Sequence, residues 1–76
     1  MEEKFMNEAL KEARKAYEKL EIPVGAVIVK NGKIISRAHN LKETKQTATA
    51  HAEILAIQKA NKKLNNWRLI DCDMYV

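Results

Sequence analysis

Apolar residues recur at helical spacing from Phe5 to Leu20 (Phe5, Met6, Ala9, Leu10, Ala13, Ala16, Tyr17, Leu20), with lysine and glutamate between them. Such a stripe predicts an amphipathic helix with one face on a core. Pro23 ends it, because the residue before a proline resists the helical conformation. Val24 to Val29 is short and β-branched, the pattern of a buried strand. Lys30-Asn31-Gly32-Lys33 sets Asn-Gly between two apolar runs, which predicts a tight hairpin. Ile34 and Ile35 then open a second strand that runs to about Asn40. Leu41 to Thr47 is polar and predicts a loop. A second helix starts near Thr49 and continues through Ile54, Leu55, Ile57, Ala60 and Leu64; its first turns are apolar on nearly every side, which predicts a central, buried helix. Asn65-Asn66 breaks it, and Leu69 to Val76 reads as a third strand with Asp71 and Asp73 near its start. The order is α-β-β-α-β, without internal repeat, linker or low-complexity segment.

The chain has 76 residues, 46% hydrophobic and 32% charged, which places it with small globular domains rather than disordered chains. A domain of that size buries only about 60% of its unfolded surface, so its core is marginal unless something covers it. The apolar strand ending in Met74-Tyr75-Val76 leaves an edge that calls for such a cover, by self-association or by further chain. No apolar run approaches the roughly 20 residues of a membrane span. Met1-Glu2-Glu3-Lys4 is charged and leads into an amphipathic helix, unlike a secretory signal. The single cysteine, Cys72, cannot form an internal disulfide, which agrees with a reducing, cytoplasmic setting. A net charge of +4 is compatible with a nucleic-acid partner, but the lysines are scattered and charge alone favours an ordinary solvated surface.

Chemistry concentrates at Thr49-Ala50-His51-Ala52-Glu53. Mid-helix, positions 51 and 53 would diverge by about 200°, two steps of about 100°. At a helix start both can point into one pocket, His51 as a metal ligand and Glu53 beside an activated water. Taken alone, H-x-E often arises by chance, and a satisfied structural histidine with a helix-start glutamate is the better reading of it. His39 reads as a surface or strand-end histidine, and Trp67 as a core anchor, with stacking on nucleic acid together with Arg68 as the other reading. Lys30, Lys33, Lys42 and Lys45 read as a solvated hairpin and loop.

Pro23-Val24-Gly25-Ala26-Val27, the hairpin, Asn40, Thr49 to Glu53 and Trp67 to Val76, taken in order, resemble the bacterial tRNA-specific adenosine deaminases of the cytidine/deoxycytidylate deaminase superfamily. The resemblance covers essentially the whole chain and matches the N-terminal half of such an enzyme. It implies a three-layer α/β/α fold on a mixed sheet ordered 2-1-3-4-5, cut here to α-β-β-α-β. Residue by residue it implies His51 as zinc ligand, Glu53 as general acid/base, Asn40 in contact with the target nucleoside, and Val24 in the base pocket. The two cysteine ligands of a P-C-x-x-C run are absent, and Cys72 matches neither, so it reads as a strand residue.

The implied reaction is zinc-dependent deamination of adenosine to inosine at the wobble position of a tRNA anticodon stem-loop, by a homodimer. Glu53 would pass a proton to the leaving ammonia. Two rivals remain: an inactive remnant serving as a folding or dimerisation module, and a cytosine, guanine or nucleotide deaminase. Asn40→Ala is expected to weaken catalysis without disturbing the fold.

Overall fold

The structure is a computed structural model and describes residues 2–76. Helix α1 (Glu3–Glu18) leads into strand β1 (Gly25–Lys30), which turns back as strand β2 (Lys33–His39). A one-turn helix α2 (Lys42–Lys45), helix α3 (Ala52–Leu64) and strand β3 (Cys72–Tyr75) follow. The sheet order is β2-β1-β3, and both pairs are antiparallel. Helix α1 covers one face and α3 the other, giving the three-layer α/β/α arrangement and the first three positions of the expected strand order.

Strand β1 explains the layering. It is buried along Gly25 to Val29, and its side chains alternate between the two faces. Val27 and Val29 meet Phe5, Ala9 and Tyr75 on the α1 side, while Ala26 and Ile28 meet Ala52, Ala56 and Ala60 of α3. A strand buried on both faces reads as a continuous apolar run, as Val24 to Val29 does. The hairpin turn has Asn31 at φ 52° and Gly32 at φ 74°, the left-handed pair that an Asn-Gly turn of type I′ requires. A bulge follows, since Ile28 pairs with Ser36 but Val29 with Ile34. The additional residue, Ile35, lets it and Ser36 both serve the α3 face, where Ser36 Oγ donates to the Ala56 carbonyl (2.9 Å).

Several expectations are corrected. Helix α1 stops at Glu18, well before Pro23, because Leu20 adopts a left-handed φ of 61° and closes a Schellman motif: Glu21 N–H donates to the Ala16 carbonyl (2.9 Å) and Leu20 N–H to that of Tyr17 (3.0 Å). Only part of its apolar stripe is covered: Phe5, Ala9 and Ala16 are buried, whereas Leu10, Tyr17 and Leu20 face solvent. The charged Glu12 is buried among them.

The segment read as a loop contains α2, held by a carboxylate. Glu21 accepts from the N–H groups of Glu43 (3.1 Å) and Thr44 (2.7 Å) and from the Thr44 hydroxyl (2.7 Å). Helix α3 starts at Ala52, not Thr49, since the Ala50 carbonyl is taken by Leu41 N–H (2.9 Å) and so turns away from a helical partner. It is also less enclosed than expected, burying an alanine face while Ile54 and Ile57 are exposed. Strand β3 begins only at Cys72, after Asp71 takes a left-handed φ of 59°. Trp67 is 76% exposed beside Arg68, not a core anchor. No helix among the described residues is long and apolar enough to cross a membrane.

Candidate active site

The end of β2 and the start of α3 are built as one unit. Asn40 follows β2 and is almost wholly buried. Its backbone N–H donates to the Val24 carbonyl (3.1 Å), which extends the pairing of β1 and β2 by a rung. Its side-chain Oδ1 accepts from Ala52 N–H (2.7 Å), the first amide of α3. The first amides of a helix have no partner within it and need an external oxygen. Asn40 supplies that oxygen from twelve residues upstream.

This arrangement frees His51. It occupies the N-cap position with extended backbone (φ −78°, ψ 146°), where a serine, threonine or aspartate would ordinarily turn its side chain onto the helix. Its side chain makes no capping bond. The half-buried imidazole therefore stays available as a ligand, while its carbonyl accepts the ordinary helical bond from Leu55 N–H (2.9 Å). His51 and Glu53 thus stand at the cap and the first turn, where the mid-helix divergence of the two positions does not apply.

Glu53 carries the unusual feature of the site. Its Oε1 is buried without a hydrogen-bond partner. Buried polar atoms are nearly always paired, because an unpaired one forgoes hydration without compensation. An orphaned carboxylate oxygen two residues from an unengaged imidazole fits a site that receives a metal or a water. Among the described residues no three histidine, cysteine, aspartate or glutamate side chains cluster to hold a metal ion. The donors present fit one corner of a zinc site, His51, with Glu53 beside it, and zinc requires further ligands.

Val24 packs on the cluster of the α3 face and passes its carbonyl to Asn40. It also borders a groove of about 270 Å³ with Leu10, Pro23 and Val76, which His51 and Glu53 do not line. The structure thus joins Val24, Asn40 and the start of α3 through hydrogen bonds.

Two carboxylates that the sequence did not single out belong to the frame of the site. Burial alone would raise the Glu12 pKa, but hydrogen bonds from His39 and Lys15 outweigh it and hold the group below the ordinary value. Burial would likewise raise Glu21, and the Thr44 hydroxyl with the Thr44 and Glu43 amides lowers it. No periodicity marks either residue, since Glu12 lies among lysines and glutamates of ordinary helix composition and Glu21 in the loop that follows α1. Gly25 adds a steric condition. A Cβ there would collide with the Ala9 carbonyl oxygen and the Ala13 nitrogen and lie 2.7 Å from Glu12 Cβ, so only glycine lets α1 sit this close to the strand that leads to the site.

The model of the cytidine and deoxycytidylate deaminase zinc-binding region matches residues 1–76. The chain is 57% identical, over 99% of its own length and 47% of the relative's, to the tRNA-specific adenosine deaminase of Bacillus subtilis (strain 168). A solved structure from work on A-to-I editing by tRNA:A34 deaminases at the wobble position of transfer RNA superposes with a TM-score of 0.94 at 43% identity, covering 97% of this chain and 54% of that one. The guanine deaminase of Bacillus subtilis superposes with a TM-score of 0.91 at 40% identity, covering 99% and 49%. The chain spans about half the length of the curated relatives it matches.

Proposed function

This chain belongs to the cytidine and deoxycytidylate deaminase zinc-binding family, and from that premise we propose that it contributes half of the catalytic site of a hydrolytic deaminase acting on adenosine at the wobble position of a tRNA anticodon stem-loop. The observation that carries the reading is the buried, unpartnered Oε1 of Glu53, two residues after an N-cap histidine free of capping duty.

In this reading His51 is one zinc ligand, and the remaining ligands come from outside the described residues. Zinc, when bound, supplies a Lewis acid that eases ionisation of water. Glu53 holds and moves the proton: it takes one from the attacking water at its free Oε1 and delivers it to the departing amine, so that adenosine and water give inosine and ammonia. Asn40 spends Oδ1 on Ala52, which leaves its Nδ2 amide as a donor toward the nucleoside. Val24 lines the base pocket. We place the protein in the cytoplasm, where its tRNA substrate is met, as a homodimer.

Inosine formation in an anticodon stem-loop by the full-length protein tests the proposal, with free guanine and cytosine as competing substrates. Turnover of guanine in place of the stem-loop would support the second reading, which the guanine deaminase superposition favours. The 76-residue chain by itself should bind zinc poorly and turn over neither substrate, because His51 is its one matched ligand. Metal analysis showing one tightly held zinc per isolated chain would contradict that ligand assignment.

A further inference from the structure

On the opposite face of the sheet from His51 and Glu53 lies a second histidine–glutamate pair, which the proposed chemistry does not use. Glu12 of α1 is buried, and its Oε1 lies 2.9 Å from His39 Nδ1. The other ring nitrogen, Nε2, lies 3.0 Å from Lys19 Nζ. An ammonium group has hydrogens to give and no lone pair to accept with, so Nε2 must be the accepting nitrogen. The ring proton then sits on Nδ1 and is donated to Glu12. The second carboxylate oxygen, Oε2, accepts from Lys15 (2.9 Å), with the Arg37 guanidinium at 3.6 Å. Both carboxylate oxygens of Glu12 and both ring nitrogens of His39 thus have partners.

What the cluster holds is the last residue of β2. His39 pairs with Gly25, the glycine on which α1 rests, and the next residue is Asn40. Adjacent strand residues point to opposite faces. The His39 side chain is bonded into the α1 layer, and the Asn40 side chain is bonded into the α3 layer at Ala52 N–H. The dipeptide is thus a tie through the sheet, with one end on Glu12 and the other on the first amide of the helix that presents His51 and Glu53.

We infer that Glu12 and His39 are a positioning pair for the proposed deaminase site: by fixing the end of β2 from the α1 side they set where Asn40 holds the N-terminus of α3. The inference rests on the deaminase reading for its consequence in turnover, and on the structure alone for its mechanical part.

The test compares His39→Leu, which removes both ring bonds, with His39→Asn, which keeps an amide N–H near the place of Nδ1, in the full-length protein. Hydrogen exchange at the Ala52 amide should quicken in His39→Leu by up to about tenfold, the scale of one net hydrogen bond. It should stay at the wild-type rate in His39→Asn. In stem-loop deamination, kcat should fall in His39→Leu with little change in KM, and His39→Asn should restore it. In the wild-type protein, nitrogen-15 NMR should find the His39 proton on Nδ1.

A His39 ring without a proton on Nδ1 overturns the inference, and this is read without any variant having to fold. Unchanged Ala52 exchange in a folded His39→Leu protein also overturns it, as does equal damage from both variants, which would mark a packing role only. Absence of deamination in the wild-type protein would instead sink the deaminase reading and leave the exchange and tautomer results to decide the mechanical claim.

Discussion

Glu12 and Glu53 make an instructive pair. Each is a helix glutamate with a buried carboxylate oxygen, one in α1 and one in the first turn of α3. Glu12 is surrounded by donors: His39, Lys15 and Arg37 reach both of its oxygens. Glu53 has a buried oxygen with no donor at all. The surroundings differ in the same way. The α1 face is closed by large groups, with the Phe5 and Tyr75 rings 5.4 Å apart and the Tyr75 hydroxyl accepting from Glu2 N–H (3.2 Å). The α3 face is closed by small groups, with alanines at 52, 56 and 60 packed on Ala26, Ile28 and Ala38. Burial of a carboxylate is therefore no sign of chemistry. A buried carboxylate without partners is, because folding alone gives no reason to keep it.

That contrast breaks if Glu53 turns out to be structural. Glu53→Gln should lower turnover of the full-length protein by about 10²- to 10⁴-fold, the contribution of a positioned proton-transfer group. It should retain zinc and leave the melting temperature unchanged, since the amide replaces an unpaired carboxylate. His51→Ala should lose the metal as well. Steady-state kinetics with metal analysis and thermal melting check all three, and near-normal turnover in Glu53→Gln would remove the assigned role.

The α1 face should respond in the opposite way, in stability. Gly25→Ala forces a Cβ into helix backbone and should cost about 3 kcal/mol, the upper end for overpacking, because backbone atoms cannot move aside as side chains do. Glu12→Gln should cost about 1 to 2 kcal/mol, toward the low end for charged hydrogen bonds because Lys15 and Arg37 are half exposed. Urea denaturation measures both. The pH dependence follows from the same carboxylates. Glu8, held down by hydrogen bonds from Lys11 and Arg37, and Glu12 both have folded-state pKa values below the ordinary 4.5. Their stabilisation is fully present above pH 4.5 and is lost as pH falls through the lowered values. Acid titration of wild-type and Glu12→Gln proteins should show a shallower loss in the variant.

Asn40 sharpens the comparison from the middle, since it belongs to both the frame and the site. Asn40→Ala was expected to spare the fold. With Oδ1 capping α3, it should instead destabilise by about 1 kcal/mol, the usual value of a cap. Its loss of a substrate contact should cost a further 1 kcal/mol or so in kcat/KM. Melting and kinetics that both match wild type would take Asn40 out of the site and out of the cap.

Much of this molecule is legible from short-range pattern. The Phe5 to Leu20 stripe, the Val24 to Val29 run and the Asn31-Gly32 turn each declare their element because period, β-branching and left-handed φ act over a few residues. His51 and Glu53 stood out by type and spacing for the same reason, whereas Asn40 and Val24 entered only through the resemblance to the deaminases. Boundaries and satisfaction were decided elsewhere. Glu21 capping α2 from the preceding loop and the Ala50 carbonyl turning to Leu41 depend on partners farther along the chain. Whether a glutamate is paired, as Glu12 is, or orphaned, as at Glu53, depends on which donors the sheet brings within 3 Å or so of it. No local pattern carries that information: a hydrogen bond between α1 and β2, or between β2 and the first amide of α3, exists only once the three layers have assembled.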